Sequence, residues 1–216
     1  MLTFARARRA VICVFVILLA TTTGCKHSHV RGAEYEVLSE FIDAKFASEK
    51  GVQPLKPTGE GIAKIVFHNV TESDEEGRNV QRDGNGQPIP WAQIAASLQK
   101  ESPSLEGSTV EAFRRANGKQ ATLQRSFHTA FDYELVDSTQ LDSIFKNGGW
   151  PAYYKRFPGS PGVLGFSRVG FSADGMQALF FASGECGELC GSGGYVVMER
   201  RGGRWVIDKE IETWIS

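Results

Sequence analysis

The chain has 216 residues, 24 of them Lys or Arg and 25 Asp or Glu, with 41% hydrophobic, 23% charged and 11% aromatic residues. That balance is too apolar for a disordered chain, and a formal charge of −1 lacks the basic footprint of a nucleic-acid binder. No apolar run reaches the 18 or so residues of a membrane span, which excludes a polytopic membrane protein.

The N-terminus reads as an address. Arg6, Arg8 and Arg9 precede an unbroken apolar run of 11 residues, Ala10 to Ala20, and small residues follow up to Cys25. This is the layout of a secretory signal peptide over residues 1–24. Thr22-Thr23-Gly24-Cys25 resembles a bacterial lipobox, in which the Cys thiol is acylated and becomes the first mature residue. Thr22 departs from that pattern, where Leu is usual. The expected product is a lipoprotein anchored through Cys25, the alternative being a secreted protein. Removing residues 1–24 takes away three Arg and no acid, leaving a mature chain of 192 residues with a net charge of −4. Nothing in that balance calls for electrostatic attachment to lipid headgroups, and the lipid on Cys25 is expected to do the anchoring.

Residues 25–32 read as a tether, with His27 and His29 solvated, and residues 33–216 as one domain. Tyr35, Leu38, Phe41, Ile42 and Phe46 fall at helical spacing, so 34–50 is expected to be a helix. Residues 53–61 should be a loop and 62–70 a strand. Thr71 to Pro90 is the longest polar stretch, with a turn expected at Asp83-Gly84-Asn85-Gly86. Its acidic run Glu72, Asp74, Glu75, Glu76 reads as a solvated loop. Trp91–Lys100 is a helix candidate. Ser108 is expected to open another, with Glu111 completing a capping box. Phe131–Val136 reads as a strand. A short helix capped by Asp137 or Ser138 follows, then an aromatic cluster at Trp150, Tyr153, Tyr154 and Phe157.

From Gly162 the apolar period becomes two. Four strands are expected, at 163–171, 176–183, 195–200 and 204–214, with links short enough for antiparallel pairing. The whole is an α+β fold: N-terminal helices packed on a C-terminal antiparallel β-meander, by analogy a cone-like curved sheet. The segments Gly149-Trp150, Phe166-Ser167-Arg168-Val169-Gly170-Phe171, Cys190-Gly191-Ser192-Gly193-Gly194-Tyr195, Gly203-Arg204-Trp205 and Trp214-Ile215-Ser216 resemble a family of bacterial secreted proteins and lipoproteins with no assigned activity. The resemblance spans 145–216. It implies export and one domain, and carries over no catalytic residue.

Cys186 and Cys190 share one Gly-rich segment. In an oxidising envelope they are expected to form a disulfide, worth about 2 kcal/mol for so small a loop. A redox pair or half a metal site is the alternative, but the spacing is not that of a thioredoxin-like motif and ligands for zinc are too few. His128 precedes Asp132 by four, a spacing that could orient a general base. Arg168 shares a strand face with Phe166, and if buried it needs a carboxylate, with Asp132, Glu134, Glu199 and Glu212 as candidates. Arg168, His128 and Asp132 are therefore the candidate ligand-pocket residues. His68 reads as a half-buried strand residue. Asp83, Asn85 and Gln87 only mimic a calcium loop, since Pro88 stands where Gly is required and Ile94 where Glu is. Gly191–Gly194 is too short for a phosphate loop.

No catalytic constellation, metal set or cofactor motif emerges. The expectation is a non-enzymatic envelope domain that binds a protein or small molecule, or serves structurally. The alternatives are a hydrolase-like enzyme with a pocket between sheet and helices, or thiol–disulfide chemistry at Cys186 and Cys190.

Overall fold

A computed structural model describes residues 30–47, 62–73, 81 and 84–216. The expected signal peptide, Cys25, both histidines of the expected tether, the expected loop at 53–61 and most of the acidic run, from Asp74 on, lie outside the described residues. Helix α1 (Gly32–Ala47) is followed by β1 (Ile65–His68), α2 (Trp91–Glu101), α3 (Gly107–Ala116), β2 (Tyr133–Val136), α4 (Ser138–Lys146) and α5 (Gly149–Arg156). Strands β3 (Val163–Phe166), β4 (Gly170–Phe171), β5 (Gln177–Gly187), β6 (Cys190–Arg201) and β7 (Arg204–Ile215) complete the chain. The fold is α+β, with helices concentrated in the N-terminal part and strands in the C-terminal part.

The sheet order is β2-β1-β3-β5-β6-β7, with β4 attached to β5. The antiparallel meander expected at the C-terminus is β5–β6–β7. The sheet is nevertheless mixed, because β1 runs parallel to both β2 and β3. Those pairings join segments about 70 and 100 residues apart, a relation that no local turn signal encodes.

Helices cover both faces. Strand alternation splits the core accordingly. Ile65, Phe67, Leu164, Phe166, Ala178, Phe180, Val196 and Met198 meet α1 through Tyr35, Leu38, Phe41 and Ile42. Leu179, Phe181, Tyr195 and Val197 meet α2 and α3 through Ile94, Leu98, Val110 and Phe113. On that same second face, Val66 and Val163 meet α4 and α5 through Leu141, Tyr153 and Phe157. Two helix pairs therefore flank a gap over the middle of the sheet.

Helix α1 also carries a polar stripe at four-residue spacing. The Tyr35 hydroxyl accepts from the Gln124 N–H at 2.5 Å, the Ser39 hydroxyl from the His128 N–H at 2.9 Å, and the Asp43 carboxylate from the Ala130 N–H at 2.9 Å. One helix edge thus satisfies the backbone of the 121–131 connection.

Some local expectations change. Asp137 caps α4 in a full capping box with Gln140. Ser108, by contrast, lies inside α3, which starts behind Glu106 with no side-chain cap. The aromatic cluster at 149–156 is a helix. The single strand expected over 163–171 breaks at Ser167, whose hydroxyl accepts from the Phe181 N–H at 2.7 Å and so takes the place of a backbone carbonyl in the ladder. The Cys/Gly segment expected as a loop is strand on both sides of a tight turn at Glu188-Leu189. Edge strand β7 carries register shifts opposite Gly193/Gly194 and Val197/Met198. Bulges and charges at Asp208, Lys209, Glu210 and Glu212 guard the edge against pairing with another sheet.

Candidate functional site

The gap on the second face is a cleft of about 430 Å³. Its floor is β3 and β5 at Val163, Phe181, Ser183 and Glu185. Helix α4 supplies one wall with Ser138, Leu141, Asp142 and Phe145, and His68, Glu72 and Trp214 complete the lining.

Glu72 is the unusual residue. It leaves β1's end and is held beside β3 by its N–H, which bonds to the Phe166 carbonyl at 2.8 Å. The residue is only 7% exposed, and its carboxylate accepts a short hydrogen bond from the Ser183 hydroxyl. The space for it exists because position 165 is glycine: a Cβ there would run into Glu72 Oε1 and Ser183 Oγ. Burying a carboxylate is costly unless it is hydrogen-bonded. A sheet built for stability alone would place an apolar side chain over β3, as it does at Val163.

Trp214 is positioned by the same device. The indole lies on Gly193, where a Cβ would collide with the ring, and it packs with the cluster of Phe181 and Tyr195. The glycine run of β6 thus receives an aromatic ring and makes no phosphate loop. The cleft wall is apolar and aromatic at Leu141, Phe145, Phe181 and Trp214. Its ionisable groups are Glu72, Asp142, Glu185 and one histidine, His68. Few polar groups converging inside an apolar concavity are the usual anatomy of a small-molecule site.

The Cys186–Cys190 disulfide closes the hairpin end beside this cleft, with the Cα atoms 5.1 Å apart. Cys186 is buried, and its carbonyl accepts from the Tyr154 hydroxyl at 2.8 Å. Desolvation raises the Tyr154 pKa above its ordinary value and keeps the phenol a donor. The hairpin that carries Glu185 is therefore clasped by the disulfide and strapped to α5.

The three residues expected to share a pocket do not line one cleft. Arg168 is bound to none of its four expected partners. It donates through Nε to Glu34 Oε2 at 3.1 Å and through a terminal nitrogen to Glu34 Oε1 at 2.5 Å. Asp132 sits near Lys64 Nζ at 3.7 Å and Arg125 at 3.8 Å. The His128 side chain is exposed, and only its N–H is used, by Ser39. Neither His128 nor Asp132 lines the cleft of Glu72 or the basin around Arg168.

The sequence reading missed Glu72, Ser183 and Trp214 as a group. In sequence Glu72 reads as part of the acidic run that follows it, although it shares even parity with Val66 and His68. Ser183 and Glu185 likewise share parity with Phe181. That signal becomes readable only once β1, β3 and β5 are known to be neighbours.

A second cleft, of about 420 Å³, lies under the end of α1 between Phe41, Phe46, Leu164 and Ile211. The Lys45–Glu210 ion pair, 2.6 Å long, stands at its side. Among the described residues, no group of three or more His, Cys, Asp or Glu is arranged to hold a metal ion, and no helix is long and apolar enough to cross a membrane. Comparison with family models, with curated proteins and with solved structures yields no match.

Proposed function

We propose that the protein is a non-enzymatic binding domain tethered to the bacterial envelope through a lipid on Cys25, and that its cleft takes a small organic cation such as a primary or quaternary amine. The observation that carries this reading is Glu72, a residue 7% exposed whose carboxylate is bonded to Ser183 at the base of the cleft. Asp142 on the α4 wall and Glu185 on the floor add negative charge, and Phe145, Phe181 and Trp214 supply aromatic rings. A carboxylate in a cleft partly lined by aromatic rings suits an ammonium group, which gains both charge pairing and cation–π attraction. The export signal, the lipobox-like Thr22-Thr23-Gly24-Cys25 and the resemblance over 145–216 support placement at the envelope.

Calorimetric titration of the mature protein with small primary and quaternary amines tests the reading. At least one should bind in the millimolar range or tighter. Glu72→Gln should weaken it about tenfold or more, since a charge-assisted bond becomes a neutral one. Failure of every amine to bind, or equal binding by Glu72→Gln, would remove the assignment.

A further inference from the structure

Around Arg168 the start of α1, the end of α3 and β4 enclose an open basin of about 720 Å³. Its charged lining is Arg31, Arg115, Lys119, Arg168 and a single acid, Glu34. That acid is only 2% exposed and already accepts from Arg168 and from the N–H groups of Arg31 and Val169, each at 3.1 Å. The side chains of Arg31, Arg115 and Lys119 are exposed, and among the described residues no carboxylate stands within ion-pair distance of them. The outward face of the basin is therefore cationic in a chain whose mature net charge is −4.

Its place in the chain is equally specific. Arg31 lies six residues after Cys25, which at full extension spans about 20 Å. A lipid on Cys25 would hold this basin, more closely than the distal hairpin at Leu189, against the bilayer surface. Lys26 adds a further charge within the same six residues. We infer that the Arg31–Arg115–Lys119 face docks on anionic phospholipid headgroups of the membrane that carries the anchor, fixing the orientation of the domain. The location of the surface rests on the lipoprotein reading, whereas its affinity for anionic headgroups rests on the basin alone. On this inference the patch, which the overall charge balance conceals, acts beside the lipid expected on Cys25.

The test uses the mature chain from residue 25 with Cys25→Ser, which retains every described residue. Sedimentation with vesicles of phosphatidylcholine is compared with vesicles containing an equal part of phosphatidylglycerol, at low salt. Binding is expected only to the anionic vesicles. Each of Arg31→Gln, Arg115→Gln and Lys119→Gln should weaken it about fivefold, and the triple variant about a hundredfold. Because all three side chains are exposed, the thermal midpoint should stay unchanged and serves as the folding control. Equal binding to both vesicles, or a triple variant that binds like its parent, would overturn the inference. So would release by inorganic phosphate beyond that caused by sodium chloride of the same ionic strength, which would mark a site for a soluble anion. The intact mass of the envelope-borne protein reports the lipid separately, so the anchor and the docking face can fail independently.

Discussion

Glu34 and Arg168 stand 134 positions apart and form a two-point ion pair whose carboxylate is 2% exposed and whose guanidinium is 12% exposed. The pair joins the first turn of α1 to the break between β3 and β4. The Arg168 backbone is held in turn by Asn117, which accepts from its N–H at 2.8 Å and donates to its carbonyl at 3.0 Å. Glu34→Gln leaves a buried guanidinium without its counter-charge and should destabilise by about 3–5 kcal/mol in urea unfolding. Glu34→Gln combined with Arg168→Met should be less damaging than Glu34→Gln alone. A loss below about 1 kcal/mol for Glu34→Gln would mean that Arg168 does not depend on Glu34 for its counter-charge.

The cleft makes a prediction about coupling. Gly165→Ala places a methyl group where Glu72 Oε1 and Ser183 Oγ now lie. In the native background it should cost about 1–3 kcal/mol, the range for overpacking a filled site. With Glu72→Ala already in place only the movable Ser183 hydroxyl is left to give way, so the same change should cost less, giving an interaction energy of about 1 kcal/mol or more in a double-mutant cycle. Additive effects would show that Gly165 is required by backbone geometry and not by the carboxylate above it.

The sequence carried the helical stripe of α1 and the period-two strands plainly, because both are local repeats of apolar residues. It also carried the disulfide, which needs only two cysteines in one short segment and an oxidising compartment. The partner of Arg168 was not legible. Glu34 sits on a helix face where a charge reads as solvated, and its burial depends on how α1 lies across the sheet. Glu72 was hidden for the same reason. It continues into an acidic run, and only the parallel pairing of β1 with β3 brings it over Gly165.

The disulfide and the Tyr154 strap act on one hairpin. Replacing Cys186 and Cys190 together by Ser should lower stability by about 2 kcal/mol, the chain-entropy value for so short a loop. Tyr154→Phe removes one hydrogen bond to the Cys186 carbonyl and should cost about 1 kcal/mol. Hydrogen exchange would locate both effects at the 185–191 backbone, leaving β6 beyond Tyr195 protected. Loss of protection throughout the sheet would show that the clasp supports the whole fold.

Three tyrosines are expected to set the alkaline limit. Desolvation raises the pKa of Tyr35, Tyr153 and Tyr154 above the ordinary value of 10.0. Tyr153 is fully buried and shares a 2.9 Å hydrogen bond with the Ser160 hydroxyl. Above pH 10 the unfolded chain releases these phenolic protons while the folded chain retains them. The unfolded state then binds fewer protons, so stability falls as pH rises. The contribution is complete below the unfolded value and is lost as pH climbs through the raised folded values. Unfolding midpoints in urea should therefore be flat from about pH 8 to pH 9.5 and decline beyond it. Tyr153→Phe should cost about 1 kcal/mol at neutral pH through the lost hydrogen bond and should flatten the alkaline decline. A decline of unchanged steepness in Tyr153→Phe would place the alkaline limit elsewhere, in the Lys and Arg pairs of the surface.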